Sequence, residues 1–579
     1  MKKYMKEHWM EYAFALLLVG IAGVGISLIF GYSFSTNDDA MLRNIVNGNY
    51  TGTPDAHLIY IMYPLGWILK CLYQIAPVIP WYDLLMIGLH YLCWFIFVIR
   101  AMQIAKDKTV KYVVAILVLG LVILIDLPYL VMHQYTVLAA VLISAVIFIL
   151  ATGNGDSAKQ YWIDRVICLI LMTLCLWLRK QVFFMALPIV FLVLIKEIYG
   201  VSKDRKIKRR IKNVIIFFGG FACVLLLTFM IEHLAYSSPE WKEFEIYNEA
   251  RTDIYDYYGI PKFEEYKQEY EALGIDYGEW VVFDHYDTGL ISGLSADKMK
   301  TIAEWSMNEK MELQQQYNVF RQCIYSVVNI LFYNDVQPAG LILSILYVVT
   351  LLYVYRNRDR VGFLCVCGML LFQMVFIGYF IEQGRFPERI SYGLYFMQIC
   401  YLAGIVSKGL SNKNFSWKKE KFWTIAIIGL CVVTLSILGI YRVRMTLNEC
   451  NEITAEVKDW EYVNDYFDAN TDNKYCIVTN SFVFSKELMF GNPKVESDNL
   501  IRLGVWVQNS PLEKEHNERL GVFEIGEYLL SAQDIYLVAD AEMDLWWLDS
   551  YLSGTDKCAV VTETIVTPGG RQFAIIQVQ

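Results

Sequence analysis

Long apolar stretches constrain this 579-residue chain more than any other feature of its sequence. Four of them, at 12–30, 84–99, 110–125 and 131–150, lie within the first 150 residues. Because a helix needs about 20 mainly apolar residues to cross the hydrocarbon core of a bilayer, these stretches predict membrane spans. Of all residues, 56% are hydrophobic and 19% are charged, whereas soluble domains average about 45–50% and about 25%. The sequence therefore predicts a multi-pass membrane protein.

Eleven spans account for the apolar stretches and for the placement of basic residues. With the N-terminus in the cytoplasm, the inner segments carry 23 lysines and arginines and the short outer segments carry six. Basic residues accumulate on the cytoplasmic side of membrane proteins, so this bias supports the topology. The predicted spans are 13–32, 82–102, 111–127, 131–151, 162–178, 181–199, 212–231, 338–355, 361–380, 391–408 and 422–441.

Two further apolar segments, 58–76 and 317–333, test this topology. If 58–76 spanned the membrane, every later loop would be inverted and the basic run at 203–210 would lie outside. We therefore expect 58–76 to lie along the outer interface, as an amphipathic helix does. The same reasoning keeps 317–333 on the outer side.

Two domains are predicted. Residues 1–441 form a transmembrane helical bundle that includes the outer loops 33–81 and 232–337, and residues 442–579 form a small extracytoplasmic α/β domain. In this tail the periodicity indicates a helix over 453–467, and β-branched runs indicate short strands. These strands are expected at 474–479, 534–539, 559–564 and 571–578. The predicted fold class is mainly α, with an α/β C-terminal domain.

An acidic pair, Asp38 and Asp39, follows the first predicted span at the outer mouth of the bundle. Ionisable residues beside spans are candidates for function because they are costly there. Adjacent carboxylates raise each other's pKa. One of the two can accept a proton from an attacking hydroxyl, while the other orients the acceptor or, as Asp39, helps to hold a divalent cation such as Mg²⁺ or Mn²⁺. Alternatively, the pair only caps a helix over 40–48.

Two groups of basic residues lie on the outer side, against the general charge bias. Arg179 and Lys180 join the fifth and sixth spans, and Arg385 and Arg389 join the ninth and tenth. Because the guanidinium group binds phosphate in a bidentate manner, these residues are candidate phosphate ligands. We favour Arg385 and Arg389, which are four residues apart beside an apolar wall. Their alternative roles are contact with lipid headgroups and pairing with nearby glutamates.

Five further residues on the predicted outer side are weaker candidates for the functional site. His133 and Gln134 lie beside the short outer turn between the third and fourth spans, Asp55 and His57 lie in the first loop, and Glu388 lies between the favoured arginines. We expect these five residues to be near the cavity or the acceptor.

Other reactions and partners are disfavoured. The chain has no Walker A, GxGxxG, HExxH or GxSxG motif, which disfavours an ATP-driven pump, a dinucleotide enzyme and a common metalloprotease. The net charge of −9 makes nucleic acid a poor partner.

In its acidic pair and in the segment that begins at Tyr63, the chain resembles the GT-C glycosyltransferases, polytopic enzymes that use polyprenyl-linked sugar donors. In that class the first outer loop opens with an acidic pair, and this position matches Asp38 and Asp39. The segment Tyr63-Pro64-Leu65 resembles the Pro-Pro-Leu segment of the protein O-mannosyltransferase and lipid A aminoarabinose transferase branch, with Tyr63 in place of the first proline.

The resemblance implies an inverting transfer of a sugar from a polyprenyl-phosphate donor to an extracytoplasmic acceptor, which is a cell-envelope glycopolymer, a lipid or a protein. Asp38 or Asp39 would be the base, and the outer basic residues would bind the donor phosphate. Two rival hypotheses remain: a polysaccharide polymerase or lipid-linked-sugar flippase, and a non-catalytic membrane scaffold or sensor.

Overall fold

A computed structural model describes residues 2–153, 158–199, 207–314, 324, 336–383, 385–412, 417–479, 487–491 and 497–579. Ten helices within these residues are long and apolar enough to cross a membrane. Each overlaps one predicted span, and the eleventh predicted span lies within the helix Trp417–Ala469. The ten are Trp9–Ile29, Trp81–Ile104, Lys108–Val131, Tyr135–Thr152, Ala158–Leu178, Lys180–Tyr199, Ile207–Ala235, Ala339–Arg356, Arg360–Gln383 and Glu388–Lys408. The last continues to Asn412.

Two helices, Tyr135–Thr152 and Glu388–Asn412, pack closely at the centre of the bundle. A Cβ atom on Gly393 would lie 2.8 Å from the Cβ of Ala140, and one on Gly404 would lie 2.6 Å from the Cβ of Ala151. Small residues let the two backbones approach in this way. Since Arg389 begins one of these helices, the packing also fixes the position of that arginine.

The first loop is tied to the bundle before its helix begins. The strand Ser33–Phe34 pairs in parallel with Met132–His133, and the helix Asn37–Asn47 follows the extended Thr36. This helix ends at Gly48, whose φ of 90° is left-handed and suits glycine. Asp38 and Asp39 occupy the first helical turn, where negative charge is favourable to the helix dipole.

The apolar segment 58–76 contains the helix Tyr63–Ile75. Its 13 residues extend about 20 Å at about 1.5 Å per residue, less than the hydrocarbon core of about 30 Å. Leu69 is buried on one side of the helix, and Trp67 is exposed on the other. This length and packing fit the predicted interfacial helix. The segment 317–333 lies outside the described residues, apart from Ile324.

The tail forms a five-stranded sheet, which confirms the predicted α/β fold. The first three strands in sheet order pair in parallel, and the fourth is antiparallel to both of its neighbours. The four predicted strands are present, and a short strand, Leu500–Arg502, was not predicted. In sheet order the strands are Leu500–Arg502, Lys474–Ile477, Ile535–Asp540, Gln572–Val578 and Ala559–Val566.

Helices cover both faces of this sheet. One face packs on the end of the helix Trp417–Ala469 through Trp460 and Phe467. The other face shares a hydrophobic core with the second loop, through residues such as Ile254 and Phe283. We call this assembly of the second loop and the tail the globular domain. Its further helices are Pro239–Thr252, Asp253–Tyr258 (a π-helix), Lys267–Ala272, Tyr277–Asp284, Thr288–Leu290 (a 3₁₀ turn), Ala296–Gln314, Pro511–Leu520, Ile525–Ser531 and Trp546–Leu552.

A buried ionic cluster joins the globular domain to the bundle. Arg43 of the first loop contacts the carboxylate of Glu487 and lies 3.5 Å from a carboxylate oxygen of Asp83. The backbone N–H of Phe490 donates to Asp83 at 2.8 Å, and the N–H of Phe34 donates to the carbonyl of Glu487 at 2.9 Å. The first loop, the second loop and the tail therefore meet at one end of the bundle, which we call the domain face.

Candidate functional site

The two carboxylates of the acidic pair have different surroundings, and Asp39 is the fully buried one. It accepts a hydrogen bond of 2.8 Å from the Tyr82 hydroxyl and one of 3.2 Å from the backbone N–H of Tyr135. Burial raises the pKa of Asp39 well above its ordinary value, and the hydrogen bond from Tyr82 opposes this shift. Asp39 therefore anchors the first loop to two membrane helices.

Asp38 is half-buried and lies among positive charges. Burial raises the pKa of its carboxyl group, and the charges of Arg389, Arg179 and Arg251 oppose that rise, with Arg389 acting most strongly. The three arginines come from three separate parts of the chain: the start of a membrane helix, a link between two membrane helices, and the globular domain. The fold thus gathers distant cations around one carboxylate.

Arg179 is the single residue between the helices that end at Leu178 and begin at Lys180. Its guanidinium donates to the Tyr135 hydroxyl at 2.9 Å and lies 5.2 Å from the centre of the Tyr60 ring. Because the N–H of Tyr135 also donates to Asp39, one tyrosine links the anchor to this arginine. Lys180 is exposed on the following helix.

The two favoured arginines, Arg385 and Arg389, have different surroundings. Arg385 forms an ion pair of 2.6 Å with Asp256, and the side chains are 36% and 34% exposed. Arg389 is half-buried, and within the part of the chain that the structure describes no carboxylate forms an ion pair with it. Of the pair, Arg389 is the one whose charge acts most on Asp38.

Arg251 was not predicted. It is buried in the globular domain and donates to the hydroxyls of Tyr286, at 2.8 Å, and Tyr60, at 3.3 Å. Its only signal in the sequence is that it is one of few basic residues in an acidic loop. Nothing in the local sequence shows that the second loop packs against the first, so its place beside Asp38 emerges only from the fold.

His133 and Gln134, the predicted cavity residues, are both buried. The carbonyl of His133 accepts a 2.8 Å hydrogen bond from the N–H of Ser35, just before the acidic pair. Burial lowers the pKa of His133 well below its ordinary value, and its ring nitrogens have no hydrogen-bond partner among the described residues. Within this structure, His133 supports the first loop through its backbone.

Asp55 and His57 form their own cluster. Nδ1 of His57 lies 2.7 Å from the Asp55 carboxylate, and Lys70 lies 3.6 Å from it. The His57 ring stacks on Trp241 at 4.7 Å. Although burial opposes it, hydrogen bonding from His57 holds the pKa of Asp55 below its ordinary value. The cluster connects the first loop to the globular domain.

Glu388 is exposed and accepts a 2.5 Å hydrogen bond from the Tyr129 hydroxyl. The ring of Tyr129 lies 3.9 Å from that of Tyr392, whose hydroxyl donates to the buried Asp126 at 2.5 Å. Asp126 also lies 2.7 Å from Nε2 of His90. This polar network connects the arginine-bearing turn to the interior of the bundle.

No group of three or more His, Cys, Asp or Glu side chains is arranged to hold a metal ion within the described ranges. The Asp39 carboxylate, predicted as a ligand for a divalent cation, accepts the hydrogen bonds from Tyr82 and Tyr135 described above. A Mg²⁺ or Mn²⁺ ion at this site stays a prediction.

Among known proteins, only solved structures match this chain. No protein-family model and no curated protein matches the chain. Two crystal structures of ArnT from Cupriavidus metallidurans match, one bound to undecaprenyl phosphate and one in the apo state. Each aligns at 12% identity with a TM-score of 0.40, covering 99% or 97% of this chain and 98% of the other. ArnT is a lipid A aminoarabinose transferase of the GT-C class, the branch that the sequence resembles.

Proposed function

We propose that this protein is an inverting membrane glycosyltransferase that moves a sugar from a polyprenyl-phosphate donor to a hydroxyl group of an extracytoplasmic acceptor. The observation that supports it most is the half-buried Asp38 with the charges of Arg389, Arg179 and Arg251 acting on it. Such a site combines a proton acceptor with cations for a phosphate. The domain face would then be extracytoplasmic, and the acceptor a cell-envelope glycopolymer, a lipid or a protein.

In the proposed reaction Asp38 accepts the proton of the acceptor hydroxyl. The acceptor oxygen forms a bond to the anomeric carbon while the bond from that carbon to the phosphate oxygen breaks. The electron pair of the broken bond stays on the phosphate, whose growing negative charge Arg389 and Arg179 stabilise. Cations placed where charge develops stabilise the transition state more than the ground state. Attack opposite to the departing phosphate inverts the anomeric carbon.

An aromatic ladder beside the arginines offers a path for the lipid. Phe386, next to Arg385, stacks on Phe380 at 5.3 Å, and Phe380 contacts Phe376 at 4.9 Å. The ladder continues along the membrane helix Arg360–Gln383. It places an apolar surface next to the cations, as a phosphate on a long hydrocarbon chain requires.

The test is turnover of the purified protein in lipid nanodiscs. A panel of radiolabelled undecaprenyl-phosphate sugars is the donor, a cell-envelope extract supplies acceptors, and release of polyprenyl phosphate is measured. We expect Asp38→Asn to reduce kcat by about 10²–10⁴-fold, the range typical of a lost general base. Arg389→Gln should reduce it by about 10²–10³-fold, as loss of one charge-stabilising group does.

The exposed Asp297 provides a matched control, because Asp297→Asn makes the same chemical change on the surface of the globular domain. Its turnover should equal that of the wild type. Wild-type turnover by Asp38→Asn, or no release from any donor by the wild type, would overturn the proposal. A scaffold or sensor would give the second result.

A further inference from the structure

A polar cavity of about 270 Å³ lies in the globular domain, between the helices Pro239–Thr252 and Pro511–Leu520. Neither the acidic pair nor any of the three arginines lines it. We call it the polar pocket. The lining residues that matter for its chemistry are Tyr247, Thr288, Glu513, Lys514, Asn517 and Phe523.

The interior of the polar pocket carries a hydrogen-bond acceptor without a partner. Asn517 is 8% exposed, and its side-chain oxygen accepts no hydrogen bond among the described residues. Buried polar atoms are rarely left in this state, so the atom calls for an explanation. A ligand hydroxyl in the pocket would satisfy it, and Thr288 and Glu513 also line the pocket.

A local hydrogen bond holds one lining carboxylate in place. Glu513 is buried and accepts a 2.5 Å hydrogen bond from the N–H of Asn509, which also lines the pocket.

The rim and the charge of the pocket indicate the class of ligand. Phe523 is 76% exposed at the rim, where its ring can pack on the C–H face of a sugar. Three glutamates and one lysine line the pocket, namely Glu243, Glu513, Glu524 and Lys514. Burial raises the pKa of Glu513 to about 7. The other two glutamates still outnumber the one lysine, and this excess favours neutral or amino sugars and disfavours uronic acids, because like charges repel.

Both helices that line the polar pocket also carry residues that contact the first loop. Tyr247 lines the pocket, and Arg251 follows one helical turn later, about 6 Å along the axis. On the other wall, Asn517 faces the pocket while His516 and Arg519 contact the carbonyl of Tyr50 in the first loop, at 2.8 and 3.1 Å. Since Arg251 donates to the Tyr60 hydroxyl, both helices that line the pocket contact the first loop, which carries Asp38.

We propose that the polar pocket binds a neutral or amino sugar of the acceptor glycan. The assignment to the acceptor rests on the proposed transferase function. Binding of a glycan by the pocket itself can be measured without turnover.

The experiment uses the full-length protein in nanodiscs and isothermal titration with tetramers of glucosamine, N-acetylglucosamine and galacturonic acid. We expect the first or second tetramer to bind and the third not to bind. Phe523→Ala and Asn517→Ala should each weaken binding roughly fivefold or more, as loss of one ligand contact does. Phe523 is exposed, so its replacement leaves the fold intact. Trp546, an exposed aromatic residue outside the pocket lining, gives the control Trp546→Ala, which should bind as the wild type does.

Failure of the pocket and failure of the transferase give different results. Asp38→Asn should lose transfer and keep oligosaccharide binding. Transfer by a wild type that binds none of the tetramers, unchanged binding by both pocket variants, or tighter binding of the galacturonate tetramer would overturn the pocket proposal. If Phe523→Ala weakens tetramer binding but no donor gives transfer, the proposed transferase function and the assignment of the pocket to its acceptor are overturned. The pocket would then be a glycan-binding site alone.

Discussion

The structure predicts that replacing Asp39 affects stability, whereas replacing Asp38 affects turnover. Asp39→Ala leaves two buried donors, the Tyr82 hydroxyl and the Tyr135 N–H, without their acceptor. Each unsatisfied buried group costs about 1–3 kcal/mol, so the free energy of unfolding should fall by about 2–6 kcal/mol. Asp39→Asn keeps the volume and one acceptor oxygen and should cost about 1 kcal/mol.

A double-mutant cycle separates the two donors. Tyr82→Phe removes the hydroxyl, so in the Asp39→Ala background it removes an unsatisfied group instead of a hydrogen bond. The double variant should therefore lose less stability than the sum of the single variants, with a coupling of about 0.5–3 kcal/mol. Thermal unfolding of the purified protein, followed by tryptophan fluorescence, measures each variant.

The pH dependence of stability gives an independent check. The pKa of Asp39 is raised above its ordinary value of 3.8, so its contribution to stability is complete below pH 3.8 and is lost as pH rises through the raised pKa. Asp39→Asn has no such loss and should gain stability relative to the wild type as pH rises. Wild-type stability of Asp39→Ala would refute this reasoning. Loss of turnover in a stable Asp39→Asn protein would make Asp39 the reacting carboxylate.

Three further predictions concern charge. Arg389→Gln removes the strongest charge that lowers the pKa of Asp38. Because Asp38 then loses its proton at higher pH, the acid limb of the kcat/KM profile should move to higher pH. An acid limb that does not move would contradict the assignment of Asp38 as the base. Arg43→Ala leaves two buried carboxylates unpaired and should cost about 3–5 kcal/mol in thermal unfolding, whereas Lys267→Ala, which breaks an exposed pair, should cost less than about 1 kcal/mol. Turnover in EDTA tests the predicted divalent cation. If Asp39 helps to hold Mg²⁺ or Mn²⁺, EDTA should abolish turnover and either ion should restore it, whereas turnover that persists in EDTA would contradict this role of Asp39.

The bundle could be predicted from the sequence because span length and charge bias are local properties. Apolar runs mark the helices, and basic loops mark one side. The charge bias also kept 58–76 from being predicted as a span, and the helix there has only 13 residues. The strands of the tail were also predictable from β-branched runs, except for Leu500–Arg502, which is too short to show a period.

The surroundings of the site could not be predicted, because they depend on contacts between distant parts of the chain. The charge of Arg251 acts on Asp38 only because the second loop packs against the tail and the first loop. The sequence likewise treats Arg385 and Arg389 as one motif, whereas Asp256, about 130 residues away in sequence, pairs with Arg385. No local pattern encodes that partner.

Helix geometry explains why two neighbouring acids do not share one role. In a helix of 3.6 residues per turn, adjacent side chains point about 100° apart. Asp38 and Asp39 both lie in the first turn of the helix Asn37–Asn47. When the Asp38 side chain faces the arginines, the Asp39 side chain therefore points into the bundle. Asp39 there binds the N–H of Tyr135, whose hydroxyl accepts from Arg179. In the proposed reaction Asp39 thus holds both the base, Asp38, and one phosphate-binding cation, Arg179, in place. Of the acidic pair, Asp39 is the positioning residue and Asp38 is the residue that reacts.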